Sequence, residues 1–494
     1  MKRYEHYAQD IARLIKAQTL RPGERLPSVR QASASRQISP ATVFAAYYLL
    51  EAQGLIEARA RSGYYVKTQA QPLQAEPSTA PPGADATPVN ISDLVFEVLE
   101  STRQPDVVPL GSAFPSPALF PLDKLARCLT PAMRRLEPER MVEDLTQGNE
   151  RLRRLICLRY ASHGTTLAMD EVVITNGAME ALNLCLQAVT QPGDVVAVES
   201  PTFYSALQAL ERLKLRAVEV ATHPRDGIDL GSLEAVLQAH PVKACWFMPN
   251  FQNPLGSLMP EARKQALVKL LAAHQVPLIE DDVYGELYFG LNRPPPAKAY
   301  DQHGLVLNCS SFSKNLAPGY RVGWVAAGRF ARQVQHLKLM TTLSSAIPSQ
   351  LAITDYLQGG QFERHLRQLR LSLAQQQEVA LKVIAAHFPA GTRVTRPQGG
   401  YFLWLELPAQ VDALVLQRRA LAQHISIAPG HLFSADQRFC HCLRLNYGQL
   451  ADARFVDALQ RVGQLACELS ALVPVAVPRV QDALPEPAKP RQRG

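Results

Sequence analysis

Apolar positions near the start of the chain recur on a helical period. Between Tyr4 and Lys16, Ile11, Leu14 and Ile15 fall on one face, and Arg21-Pro22-Gly23 stops that element. Leu26-Pro27-Ser28 opens a second helix with Ser28 as its cap. Ser39-Pro40, a cap residue followed by proline in the first turn, opens a third that runs through Thr42, Val43, Ala46, Tyr47 and Leu50 and stops at Gly54. Leu55 to Lys67 switches to short alternating runs that turn at Arg61-Ser62-Gly63, which predicts two strands. Three helices and a hairpin in this order form a winged helix-turn-helix.

From Thr68 to about Asn90 the pattern fades. Prolines 72, 77, 81, 82 and 88 alternate with Ala, Gln, Ser and Thr, the composition of a semi-stiff linker. Strand-like runs then follow at Glu171–Thr175, Val195–Glu199, Arg216–Val220, Ala244–Met248, Val276–Glu280, Val306–Ser310 and Val322–Ala327. Most are separated by helical patterns, so the fold class is α/β, a mainly parallel sheet with helices on both faces. After a long helical region, Thr392–Leu407 and Ile425–Leu445 predict a smaller C-terminal α+β domain. The chain thus divides into residues 1–68, a Pro/Ala-rich linker 69–90, a body 91–473 and a basic, Pro-rich tail 474–494 expected to be disordered.

Composition adds a direction to this plan. At 494 residues, two or three domains are expected. No apolar run reaches the length of a membrane span and Met1 to Asp10 is polar, so a cytoplasmic protein with no membrane partner is expected. The eight cysteines include no CxxC pair and no metal site is assigned; Cys440-His441-Cys442 reads as a strand with two thiols buried on one face. Of the net charge of +8, the first 68 residues carry +6, from eleven Lys/Arg and five Asp/Glu. A small basic head on a nearly neutral body implies an anionic partner, most simply nucleic acid.

The blocks Leu26-Pro27-Ser28-Val29-Arg30-Gln31, Ser39-Pro40-Ala41-Thr42-Val43, Leu50-Glu51-Ala52-Gln53-Gly54-Leu55-Ile56 and Ser62-Gly63-Tyr64-Tyr65-Val66 are similar to the GntR-type winged helix over nearly all of residues 1–68. The resemblance implies double-stranded operator DNA as the partner, with the third helix in the major groove and the wing on the backbone or minor groove. The contact residues it implies are Ser28, Arg30, Ser39, Ala41, Thr42, Arg59 and Arg61; the competing reading of each arginine is a solvated surface charge. Pro40 stands where many members carry arginine or another polar residue, and Phe44 occupies an exposed-looking position one turn on. Thymine-methyl contacts from Ala41 and Thr42 therefore fit better than arginine-to-guanine readout.

The richest stretch chemically is Ser311-Phe312-Ser313-Lys314-Asn315-Leu316-Ala317-Pro318-Gly319-Tyr320-Arg321. Lys314 resembles the lysine that carries pyridoxal 5'-phosphate, and the remaining parts such a site requires can be sought elsewhere. A carboxylate for the ring nitrogen is found in Glu280-Asp281-Asp282 at a strand end, with Asp281 preferred over Asp282. Alone, such an acid is more often a helix cap. Asn253-Pro254-Leu255-Gly256 resembles the aminotransferase Asn-Pro-x-Gly turn, which makes Asn253 a donor to the ring's 3'-oxygen with Tyr284 as its partner. For the phosphate there is a strand-turn-helix at Thr175-Asn176-Gly177-Ala178-Met179, with the amides of Ala178 and Met179 joined by Ser311, Ser313 and Arg321. Phe203 matches the ring-stacking position, one of Phe203 and Tyr204 serving the core. Arg444, a charge in the apolar run Leu443 to Leu445, matches the clamp on a substrate carboxylate, with Asn253 beside it; a structural salt bridge is the alternative.

In this order the blocks from Gly111 to Gly448 resemble a fold type I aminotransferase, and with its head the chain is similar to the MocR group of transcriptional regulators. The resemblance implies a homodimer with cofactor sites near the subunit interface. It also implies a regulator that senses an amino compound through pyridoxal phosphate; the rival is an active aminotransferase with an accessory DNA-binding head. Loops Gly111–Leu119 and Thr341–Ser349 are expected to recognise the ligand side chain.

Overall fold

The computed structural model describes residues 3–17, 19–21, 23–59, 62–66, 74–83, 85–100, 106–138, 146–450 and 452–471. The head consists of helices α1 (Arg3–Lys16), α2 (Val29–Arg36) and α3 (Pro40–Ala52), then strands β1 (Ile56–Arg59) and β2 (Gly63–Val66). Local chemistry sets the helix starts. Ser28 caps α2 in a reciprocal box with Gln31, and Ser39 caps α3, accepting from the Thr42 amide with Pro40 in the first turn. Tyr7, Ile11, Val43, Tyr47, Leu50, Ile56 and Val66 share one core, which fixes the wing, with Ile56 opposite Val66, against the helices.

Beyond the head come β3 (Thr87–Pro88), β4 (Val108–Pro109), β5 (Val172–Thr175), β6 (Val195–Ser200), β7 (Arg216–His223), β8 (Gly227–Ile228), β9 (Val242–Phe247), β10 (Leu278–Asp281), β11 (Val306–Ser311) and β12 (Gly323–Ala326). All but β4 form one sheet in the order β3-β7-β6-β9-β10-β11-β12-β5, with β8 on β7. Alternate residues of β6 show why it reads as continuously apolar. Val196 and Val198 face the helices Ala178–Val189 and Tyr204–Arg212, while Val195 and Ala197 face Leu267 and Leu271 of the helix Glu261–Ala273.

Three strands run against the parallel set, β3, β12 and the short β8, which is antiparallel to β7. β12 is antiparallel to β11 because the short stretch from Phe312 to Val322 has no room for a crossover helix, and that stretch carries Lys314. β3 is antiparallel to β7 and comes from the linker. From residue 74 the linker lies on the body, with Pro77, Ala86 and Val89 buried, so its few apolar residues join an existing core.

The C-terminal part adds β13 (Arg393–Val394), β14 (Phe402–Glu406), β15 (Ile425–Ser426), β16 (Ala428–Pro429) and β17 (Cys442–Asn446), forming a four-stranded sheet β13-β14-β17-β16, with β15 paired to β4. The long helix Gln361–His387 and the helix Ala453–Ala471 pack on it. Here the expectation for the cysteines fails. β17 starts at Cys442, which is buried, whereas Cys440 sits in the preceding turn and is exposed, so the two thiols share no face. Among the described residues no helix is long and apolar enough to cross a membrane. The tail 474–494 lies outside the described residues.

Candidate cofactor site and DNA-binding face

Lys314 follows β11 and is half-buried where the two sheets meet. Its Nζ donates to the Ala113 carbonyl at 2.9 Å and lies 3.6 Å from the centre of the Phe114 ring. Burial lowers the amine to about 7, helped by Arg444 and Arg321 and opposed by Asp281. A neutral amine is thus accessible at ordinary pH.

Asp281 ends β10 and is 2% exposed, with Oδ1 unpartnered. Burial raises its carboxyl to about 7 against the pull of Lys314, with Asp282 adding to the rise. Asp282 is placed differently. It pairs with Arg293 at 2.7 Å and accepts from the Asn250 amide at 2.9 Å. Of the two acids, Asp281 is the one left open toward Lys314.

Arg444, in β17, is fully buried. It donates to Asn253 Oδ1 at 3.0 Å and to the Gly111 carbonyl at 2.7 Å, packs 4.3 Å from the Phe402 ring centre, and keeps Nε without a partner. No carboxylate lies within ion-pair distance of it among the described residues, so the salt-bridge alternative is not what the geometry contains. Asn253 Nδ2 is likewise buried and unpartnered. Tyr284 is buried with its ring edge-on to Tyr401 and Phe402, at 5.4 and 5.7 Å between centres.

At the other end, Gly177 precedes the helix Ala178–Val189 with φ of 83° and no side chain caps that helix. A Cβ on Gly177 would come within 2.4 Å of the Arg321 guanidinium, so only glycine admits the arginine there. Arg321 donates to the Asn176 carbonyl at 3.1 Å and reaches Ser313 Oγ at 3.5 Å, while the Ser313 amide donates to Ser311 Oγ at 3.3 Å. The amide ends of Ala178 and Met179, two hydroxyls and a guanidinium therefore share one corner, the arrangement an oxyanion ester requires. Phe203 is half-buried against Tyr204, which is itself buried, so the core role falls to Tyr204.

Three buried polar atoms, Asp281 Oδ1, Asn253 Nδ2 and Arg444 Nε, have no partner among the described residues; Arg444 bonds Asn253, and both Arg444 and Asp281 act electrostatically on Lys314. Buried polar groups are nearly always paired, so the set fits a polar molecule that completes it. One aromatic cation, one phosphate and one carboxylate match the acid, the cradle and the arginine.

The sequence did not single out the Gly111 and Ala113 carbonyls, the Phe114 ring or Tyr401, and it weighed Tyr204 only against Phe203. Tyr204 adjoins Arg444, and Tyr401 donates to the Ala113 carbonyl at 3.1 Å. Their signal was weak because carbonyls are invisible in sequence and aromatics usually mean core. Loop Gly111–Leu119 does reach Lys314; in Thr341–Ser349, Thr342 contacts Glu180 of the helix Ala178–Val189.

On the head, Arg30 and Ala41 are exposed, Thr42 is half-buried, and Phe44 is 54% exposed on α3. Ser28 and Ser39 are exposed, but their hydroxyls serve the helix caps, and Thr42 Oγ1 lies 2.8 Å from Ser39 Oγ. The side chain of Arg59 and all of Arg61 fall outside the described residues.

Comparison with known proteins agrees with both halves. The model for bacterial regulatory proteins of the gntR family matches residues 3–66, and that for aminotransferase class I and II matches residues 139–462. Two relatives from Escherichia coli, both named uncharacterized HTH-type transcriptional regulators, are YdcR, 49% identical over 95% of this chain and 100% of its own, and YjiR, 37% identical over 94% and 98%. Among solved structures, Pyrococcus horikoshii kynurenine aminotransferase is 29% identical, with a TM-score of 0.71 over 76% of this chain and 94% of its own. The α-aminoadipate aminotransferase LysN of Thermus thermophilus, complexed with N-(5'-phosphopyridoxyl)-L-leucine, is 29% identical, with a TM-score of 0.70 over 77% and 95%. With a gntR-family head joined to a body of the aminotransferase class I and II family, the chain belongs to the HTH-type regulators of the MocR type.

Proposed function

We propose that this protein is a transcriptional regulator that binds operator DNA through its head and senses a small amino compound through pyridoxal 5'-phosphate held by its body. The observation that carries the reading is the set of unpartnered buried atoms around Lys314 in a chain whose first 68 residues hold +6 of its +8 charge. The division at residues 1–68, 69–90 and 91–473, a cytoplasmic location and a homodimer belong to the same proposal.

Bound through its aldehyde carbon to Lys314, the cofactor would supply a carbon at which one amine can replace another and a ring that accepts electron density. The chain's own groups do the rest. Asp281 would hold a proton on the ring nitrogen, Asn253 and Tyr284 would donate toward the 3'-oxygen, and Phe203 would stack on the ring. Ala178, Met179, Ser311, Ser313 and Arg321 would hold the phosphate. Arg444, with Asn253, would orient a carboxylate of the incoming amino compound, and Lys314, once its amine is released, would take up and return a proton. Ser28, Arg30, Ser39, Ala41, Thr42, Arg59 and Arg61 are the proposed DNA contacts.

The test starts with an absorption band on adding pyridoxal phosphate that Lys314→Ala removes; without such a band the cofactor reading fails. Single-turnover mixing with a panel of amino acids then separates the two functions. A sensor gives a spectral change that persists and alters operator affinity, whereas stoichiometric release of a 2-oxo acid from every binding amino acid assigns an aminotransferase.

A further inference from the structure

Between head and body the linker is composed like a tether, yet from residue 75 every few residues of it are held. The Ala75 carbonyl accepts from the Val394 amide, Glu76 pairs with Arg225 at 2.6 Å, and the Ser78 amide donates to Glu406 at 3.2 Å. The Pro81 carbonyl accepts from Arg438 at 2.6 Å, and Thr87 and Pro88 pair with Ala217 and Arg216 as β3. Val394 and Glu406 belong to the smaller sheet, whereas Ala217 and Arg216 belong to the larger. The linker therefore crosses from one sheet to the other, as the candidate site does, with Arg444 on the first and Asp281 on the second.

Its middle attachment leads to that site. Arg438 holds Pro81, pairs with the buried Glu219 of β7, and lies 3.3 Å from Ser200 Oγ. Glu219 also accepts from Ser200 Oγ at 2.5 Å, Ser434 Oγ at 3.0 Å and the Ala435 amide at 3.2 Å. Ser200 begins the turn to Phe203, and the Thr202 amide donates to the Phe433 carbonyl at 2.8 Å, next to Ser434. One buried carboxylate thus joins the linker, the turn that presents Phe203, and the segment that backs it.

We propose that residues 75–88 are a seated strap, that Glu219–Arg438 is its lock, and that the lock responds to the turn carrying Phe203. The consequence is a limit on reach. With the strap seated, the nine Cα-to-Cα steps from Val66 to Ala75 bound the distance between the head and its anchor at ~30 Å, whereas release back to Thr87 raises that bound to ~70 Å. Filling the ring site shifts that turn and changes the head's range on DNA.

The response to the site rests on the proposed cofactor reading; the seat itself does not. Hydrogen exchange on the full chain should show peptides from 74 to 90 exchanging at least about tenfold slower than a coil of that sequence. Arg438→Ala should bring those peptides to within about threefold of coil rates and lengthen the maximum dimension in small-angle scattering, while the body, left with an unpaired buried Glu219, melts lower but stays folded. Loading with pyridoxal phosphate should change exchange at 74–90 in the wild type and leave Arg438→Ala unmoved. Coil-like exchange in the wild type, or unchanged protection in Arg438→Ala, overturns the seat and its lock; equal cofactor response in both overturns the link to Phe203. Should Arg438→Ala unfold the body, Glu76→Ala and Arg225→Ala, which break an exposed pair, decide the seat by the same exchange measurement. A missing Lys314-dependent band defeats the cofactor reading, while exchange and scattering still decide the strap.

Discussion

Asp282 has Arg293 at 2.7 Å, whereas Asp281 Oδ1 has no partner at equal burial, so removing one charge or the other should have opposite effects. In the cofactor-free protein the Asp281 carboxyl stands near 7, above the ~3.9 of an unfolded chain. A raised acid opposes folding once the unfolded chain ionises, so its penalty is absent below pH ~4, grows as pH rises toward 7 and is complete above it. Asp281→Asn is therefore expected to stabilise the cofactor-free protein by on the order of 2–4 kcal/mol at pH 8 and to change nothing at pH 4. Burial raises the Asp282 carboxyl too, but Asp282→Asn takes the nearer of two carboxylates from the buried Arg293, which keeps Glu286 at 3.2 Å, and on balance should cost on the order of 1–3 kcal/mol at pH 8. Urea denaturation at both pH values checks the pair, and destabilisation of similar size in both variants would show a counter-charge on Asp281. The strand-end position of both acids could be read in the sequence. Their difference could not, because Arg293 reaches Asp282 only once β10 and the following loop are folded together.

Elements carry their own signals at their ends. Ser39-Pro40 marks the start of α3, and Ser39→Ala should cost about 1 kcal/mol in the head, read by thermal unfolding, while weakening DNA binding through a frayed first turn. Gly177 marks the opposite case, a helix opened by a residue that caps nothing. Gly177→Ala forces a Cβ into a left-handed backbone and against the Arg321 guanidinium, and should weaken pyridoxal phosphate binding at least about tenfold by equilibrium titration, since the arginine must move. Unchanged affinity would place the phosphate elsewhere. Six of the nine strands of the large sheet were legible within two residues, because strands buried on both faces read as unbroken apolar runs, while β7 runs three residues past its expected end and β8 was unforeseen. Nor was β3 legible, since two residues in a Pro-rich stretch carry no period, and its strand character comes from the free edge of β7.

For the molecule as a whole, the concentration of charge in the head predicts a salt-dependent interaction. Log affinity for operator DNA should fall linearly with log salt, with a slope of about −0.9 per phosphate neutralised, and Arg30→Ala should make it shallower by about one; a flat line excludes DNA. The sequence by itself determined the kind of each part: a capped basic head, a proline-rich connection, a doubly covered sheet, and the residue types that a pyridoxal phosphate site requires, in order. The first three follow from local periodicity, turn chemistry and charge, which need no distant partner, and the last from resemblance to a known family. Tertiary structure alone decided which carboxylate stays open, which carbonyls face Lys314 and Arg444, that Cys440 and Cys442 part company, and that the connection is seated rather than free. Each of these depends on groups far apart in the chain meeting in low dielectric, where one partner more or less changes the sign of an interaction.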